Sequence, residues 1–315
     1  MVKRIAWIDV AKGLLILLVI LGHSCINNVT SIVINSFHMA AFFVLSGITN
    51  RSEEITFKKF LKKKLKTLCF PYLVFALIML AYLLAKRIVF HGYTFDIISG
   101  LVSIVVPVSG RVSTTVYGLW FFPCLFLAEI IFYVLLYVKK MRSCFLSVLC
   151  YMLLCTICWG IHLWSNVISI MDILPIAVFY LGIGGIIKKK LVIFEEKHVC
   201  IGISSFIMFS MCVFCNYQFS RHVFDLSSMT LGIWPLYILS GIFGSALVYS
   251  LAISISKSRL LGQVGRDSMY YYGLHYEVLG VVEKNLGGGV LQTAVTMSIL
   301  YLIIFFYKRI KILFI

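Results

Sequence analysis

IDVAKGLLILLVILGHS, residues 8–24, is the stretch on which the reading of the chain turns. Its centre, Leu14 to Leu21, is wholly aliphatic, yet Asp9 and Lys12 lie before that core and His23 just after it. A helix advances 100° and 1.5 Å per residue, so the eleven steps from Lys12 to His23 end only about 20° past three full turns and roughly 16 Å along the axis. Lys12, Ile16, Val19 and His23 therefore form one stripe, with Asp9 about 60° away and one turn earlier. Lys12 could reach the membrane surface by snorkelling, paired with Asp9, and His23 could be an interfacial hydrogen-bonding residue. Their common stripe points instead to one polar face at two depths of a membrane helix, and ionisable groups inside spans are functional candidates.

The rest of the chain has the composition of such a helix. Of its 315 residues 61% are hydrophobic and only 13% charged, with a mean hydropathy of +1.02; soluble domains run near 45–50% apolar and about 25% charged. A span needs about 20 mostly apolar residues, and ten fit: 8–26, 31–49, 68–85, 117–138, 144–163, 170–187, 199–217, 229–256, 268–284 and 289–307. Residues 97–107 are apolar but short and read as an interfacial or re-entrant piece. With the N-terminus in the cytoplasm, 23 of the 28 basic residues fall on the inner side and 5 on the outer, as the positive-inside bias requires. The expectation is a single all-α domain, 1–315, folded as a polytopic transmembrane helical bundle of about ten spans with both termini cytoplasmic. The net charge of +16 then reflects topology and not nucleic-acid binding. The N-terminus reads as a retained span, since no small-residue cleavage site follows it. The ten cysteines lie mostly in apolar runs, so Cys155 and Cys158 read as packing and no metal site is expected. No internal repeat is visible.

Further polar residues follow in the spans. In NSFHMAAFFVLSG (35–47), His38 lies early in the second span. A short outer loop makes the first two helices antiparallel neighbours, so His23 and His38 share the outer half of the membrane. Two imidazoles at one depth suit general-base work or a proton relay. KKFLKKKLKTLCFPY (58–72) is a basic amphipathic helix on the inner surface, followed by a span opened by Pro71. Its lysines suit anionic lipid or a phosphorylated cytosolic donor. In VYGLWFFPCLFLAEI (116–130), Trp120 sits at interface depth and Glu129 near the midplane. SMYYYGLHYEVLG (268–280) carries His275, with Glu277 two residues on, in a less apolar span that suits a cavity wall.

Taken in order, WIDVAKGLLILLVILGHS, SFHMAAFFVLSG, a basic stretch ending PYLVF, and LWFFPCLF resemble the bacterial membrane-bound acyltransferase family 3, and most closely its fucose 4-O-acetylase-like branch. The resemblance implies an integral O-acyltransferase of the bacterial cytoplasmic membrane. It would move an acetyl group from acetyl-CoA to a hydroxyl of a cell-surface or lipid-linked glycan, with no bound cofactor. The family's arginine, ten residues before a histidine, is matched by Lys12 and His23; lysine keeps the charge without the planar fork. A pair of arginines three apart, before Pro-Tyr, is matched only by Lys64 and Thr67, with Lys62, Lys63 and Lys66 as neighbours. Ser46 and Gly47 match the family's Ser-Gly. Many members carry an extra extracytoplasmic domain; this chain ends soon after its last span, and is expected to pass the acyl group directly to its acceptor or to a partner.

On this reading His23 is the general base, and His38 assists proton transfer or orients the acceptor. Lys12, Asp9, Lys62, Lys63, Lys64 and Lys66 hold the donor. Ser46, Gly47, Trp120, Glu129 and His275 line the acceptor or acyl path. The other reading of the same residues is a transporter or flippase for a glycan or polar lipid, with the histidines as a proton relay.

Overall fold

The structure, a computed structural model, describes residues 5–24, 27–51, 55–89, 96–105, 117–137 and 170–313. Every regular element among them is helical, apart from one isolated antiparallel bridge between Asp225 and Thr230. The helices are α1 (Ala6–Gly22), α2 (Asn28–Asn35), α3 (His38–Thr49), α4 (Phe57–Lys64), α5 (Phe70–Val89), α6 (Ile97–Val105), α7 (Phe121–Tyr137), α8 (Ile170–Lys189), α9 (Leu191–Glu196), α10 (His198–Ser220), α11 (Trp234–Ser254), α12 (Arg259–Arg266), α13 (Ser268–Leu286) and α14 (Val290–Leu313). Nine of the ten expected spans coincide with helices; the stretch 144–163, including Cys155 and Cys158, lies outside the described residues. Among the described residues, five helical stretches are long and apolar enough to cross a membrane: Asn28–Thr49, Phe57–Val89, His198–Ser220, Trp234–Ser254 and Val290–Ile310. The apolar piece near residue 100 is a helix of nine residues, about 14 Å long and too short to cross.

The chain divides into two compact units. The first comprises Met1–Phe42, Lys190–Phe224 and Leu231–Ile315, and α1 is its centre. Val10, Ala11, Leu15, Ile16, Val19 and Ile20 are all buried, so α1 is covered by protein on most of its circumference. A mostly apolar helix buried on most of its sides is a core helix. Its N-terminal half is gripped by the short α12 through glycines on both partners. A Cβ on Gly13 would collide with the Leu261 carbonyl, and one on Gly265 with the Asp9 carbonyl. Its C-terminal end is tied to the α13–α14 turn, where Gly289 N–H donates to the Ser24 carbonyl (2.6 Å) and the Ser24 and Thr293 hydroxyls share a hydrogen bond (2.7 Å).

The expected second span is broken between α2 and α3, at Ser36 and Phe37. A break inside an apolar segment is tolerated only if neighbours satisfy the released backbone. Here α11 does so: Tyr237 Oη donates to the Asn35 carbonyl (3.1 Å), Ser240 Oγ to the Ser36 carbonyl (3.0 Å) and Tyr249 Oη to the Ala41 carbonyl (2.5 Å). Phe37 at the break packs edge-on against Phe209 and fills the space that any side chain on Gly244 would need.

The second unit comprises Phe43–Lys189 and Asp225–Thr230. The basic helix and the span after it are not separate. Phe57–Val89 is one continuous helical run, with a π turn at Leu65–Cys69. Pro71 accounts for this turn: it lacks an N–H and its ring clashes with the carbonyl four residues back, in Thr67, so the preceding turn widens. Within this unit α3 and α8 approach closely. A Cβ on Gly47 would strike the Leu181 carbonyl, and one on Gly184 the Val44 carbonyl. Lys188 Nζ donates to the Asn50 carbonyl just past the end of α3, and Phe43 meets Phe121 at 5.0 Å between ring centres.

Candidate active site

Two polar clusters stand out, one in each unit. In the first unit, His23 caps the C-terminus of α1 and keeps accessible surface. Its ring lies 4.7 Å from the Tyr276 ring and 5.4 Å from that of His275, and the Tyr276 hydroxyl is 3.2 Å from each of its nitrogens. His275 is 1% exposed. Its Nδ1 lies 2.6 Å from the Tyr272 carbonyl. A carbonyl can only accept, so Nδ1 carries a proton, and in the neutral ring Nε2 keeps its lone pair. That Nε2 is buried without a hydrogen-bond partner. His38 is fixed in the same way, its Nδ1 donating to the Ile34 carbonyl (2.9 Å), and it is close enough to couple electrostatically to both His23 and His275. The break at Ser36–Phe37 sets this up, because it leaves His38 as the first residue of α3, directly over the last turn of α2.

The expected neighbours His23 and His38 thus come together, and His275 joins them. Tyr276 was missed. Its signal was present in the YYYGLHY run, since adjacent positions on a helix lie only 100° apart and can border one groove. Glu277 points away from His275, about 200° round α13, and both its carboxyl oxygens are buried without a hydrogen-bond partner. Asp9 is buried and Lys12 half-buried on α1, and each has an interaction partner.

In the second unit, Ser46, Glu129 and Lys64 come together from three elements. Ser46 Oγ donates to Glu129 Oε1 (2.5 Å), and Lys64 Nζ pairs with Glu129 Oε2. Glu129 is 1% exposed. Lys64 is the last residue of α4 before the π turn and is half-buried, whereas Lys62, Lys63 and Lys66 are exposed. Gly47 adjoins Ser46 at the close approach of α3 and α8. Trp120 is buried beside Phe121, edge-on, at 6.2 Å. Cys69, Cys124, Cys200, Cys212 and Cys215 are free thiols, and among the described residues no group of three or more histidine, cysteine or acidic side chains is arranged to hold a metal ion.

An all-helical membrane protein with imidazoles gathered at the end of its central helix has the equipment for proton transfer to or from a substrate group. A family model described as an acyltransferase domain, of the acyltransferase 3 type, matches residues 5–307. The chain therefore belongs to acyltransferase family 3, as its motifs suggested, and is a multi-pass membrane acyltransferase. No curated protein and no solved structure matches it.

Proposed function

We propose that the protein is an O-acetyltransferase of the bacterial cytoplasmic membrane, of the fucose 4-O-acetylase-like branch, that moves an acetyl group from acetyl-CoA to a hydroxyl of a cell-surface or lipid-linked glycan. In this reading the chain crosses the membrane about ten times with both termini inside. Lys12, with Asp9 beside it, and the exposed Lys62, Lys63 and Lys66 attract the phosphates of the donor. His23 removes the proton from the acceptor hydroxyl while that oxygen bonds to the acetyl carbon; the carbon–sulfur bond breaks and the thiolate recovers a proton.

The observation that carries this reading is the hydrogen-bonded contact between an accessible His23 and Tyr276. For a neutral imidazole to act as a base, one nitrogen must keep its lone pair. If the Tyr276 oxygen accepts from the protonated nitrogen, the other is left for the substrate. The neutral tautomers of His38 and His275 leave two more lone pairs nearby to orient a hydroxyl or pass on a proton.

The test is the O-acetyl content of glycans from a strain lacking the gene, complemented with wild type, His23→Ala or Lys12→Arg. His23→Ala should lower acetylation by about 10²–10⁴-fold, the usual contribution of a positioned general base, while Lys12→Arg should be tolerated. Unchanged acetylation in His23→Ala rules out the assigned base. Vesicles containing purified protein separate this reading from a flippase: the enzyme consumes acetyl-CoA and labels a product, whereas a flippase moves its substrate unchanged.

A further inference from the structure

The hydroxyl groups on these helices follow a default. Ser24, Thr49, Thr67, Ser220, Ser245, Ser250, Ser254 and Ser298 each donate to the carbonyl four residues earlier, the usual resting place of a helical serine or threonine. Ser46 departs from it. Its hydroxyl donates across to a carboxylate on another helix, at 2.5 Å. That carboxylate is completely buried and its second oxygen is held by Lys64. Ser46 itself keeps accessible surface, while Val44, Leu45, Gly47 and Ile48 around it are buried.

The backbone under the hydroxyl is clamped. The glycine approach of α3 to α8 leaves no room for a side chain at Gly47, and Lys188 holds the Asn50 carbonyl. The partner lysine is turned inward at the π turn, a feature that recurs at functional sites. A half-buried serine, a buried base in hydrogen-bond contact with its hydroxyl, and a third group orienting that base form the general arrangement of an activated nucleophile. A purely structural polar link between helices would need neither the exposure of the serine nor a carboxylate, since a neutral amide makes the same bond without a buried charge.

We propose that Ser46 is a covalent acyl carrier, with Glu129 as its base and Lys64 as the group that positions Glu129. The proposal rests on the acyltransferase reading above and adds an intermediate to it. Ser46 Oγ bonds to the carbonyl carbon of the acyl thioester and gives its proton to Glu129. The carbon–sulfur bond then breaks, and the leaving thiolate takes that proton to become the free thiol. The product is an ester on Ser46. In the second half-reaction the acceptor oxygen bonds to the acyl carbon, the bond to Ser46 breaks, and the proton lost by the acceptor balances the one that Ser46 regains.

The experiment uses the full chain in lipid nanodiscs with acetyl-CoA and no acceptor. Wild type should exchange labelled free CoA into acetyl-CoA and carry one acetyl group on the peptide containing Ser46. Ser46→Ala should abolish both, and Glu129→Gln should slow the exchange by about 10²–10⁴-fold. Ser46→Cys should trap a thioester that neutral hydroxylamine removes. A wild-type protein that acetylates an acceptor but shows neither exchange nor adduct overturns the carrier and leaves direct transfer by the histidine cluster standing. An adduct that persists in Ser46→Ala assigns the carrier elsewhere and also overturns the proposal. If wild type transfers acetyl to nothing at all, the acetyl-CoA reading falls with it.

Discussion

In the first unit three imidazoles and a phenol are gathered around the end of α1; in the second, one carboxylate is shared by a serine and a lysine. Both clusters place polar atoms in a largely apolar body, by different means. The histidine cluster uses groups that can be neutral, and backbone carbonyls fix the protons of His38 and His275. It tolerates an unpartnered Nε2 on His275, since a neutral group costs far less to strip of water than a charged one. The carboxylate cluster buries a charge, so both oxygens of Glu129 are engaged and the loss of either partner is expensive. One arrangement leaves lone pairs available; the other consumes them. A substrate hydroxyl can join the first without breaking anything, but must displace an existing bond to join the second.

This contrast can be broken by substitution, because the carboxylate cluster should lose stability as well as turnover, whereas the histidine cluster should lose turnover alone. The largest effect on stability should come from Glu129→Ala, which leaves Lys64 half-buried without its partner. A loss of about 3–5 kcal/mol is expected for one half of a buried ion pair, read as a lowered thermal midpoint in nanodiscs. The double replacement Lys64→Met, Glu129→Leu should recover most of it, because apolar side chains of similar volume replace buried pairs at little cost. If Glu129→Ala is as stable as wild type, the pair is not a buried structural charge and the comparison collapses.

His275→Leu should do the reverse. It removes one hydrogen bond and one unsatisfied acceptor together, so stability should change by no more than about 1 kcal/mol. Acetyl transfer should nonetheless fall at least about tenfold if the Nε2 lone pair takes part in proton transfer. The smallest effect should be that of Tyr276→Phe, which deletes one neutral hydrogen bond to His23. About 1 kcal/mol, roughly a fivefold drop in kcat/KM, is the size of such a bond. A loss of 10²-fold or more would mean that Tyr276 handles the proton itself.

How much of this was legible in the sequence differs from element to element. The apolar runs of nearly every described helix could be read off, because backbone polar groups in an apolar medium leave the helix as the only local solution. The stripe of α1 and the short loop after it brought His23 and His38 into one cluster on paper, and they lie in one cluster in the fold. The break at Ser36–Phe37 could not be read, because the residues that satisfy it, Tyr237, Ser240 and Tyr249, lie some two hundred positions further on. Lys64 looked like one of six equivalent surface lysines; only the π turn before Pro71 singles it out. The grip of α12 on α1 depends on glycines from both helices meeting at one crossing, which no single segment displays.

The sequence by itself determined that this chain is a helical membrane protein of acyltransferase family 3, with His23 and Lys12 on one stripe of its first helix. The helices and the stripe are written in local periodicity and composition, which act over a few turns of helix, and the family in the order of four motifs along the chain. Tertiary structure alone decided that His275 and Tyr276 complete the histidine cluster and that Ser46 and Lys64 converge on Glu129. Each of those contacts joins residues 65 to 253 positions apart, and which hydroxyl or imidazole a buried polar atom finds is fixed only when the helices that carry them pack.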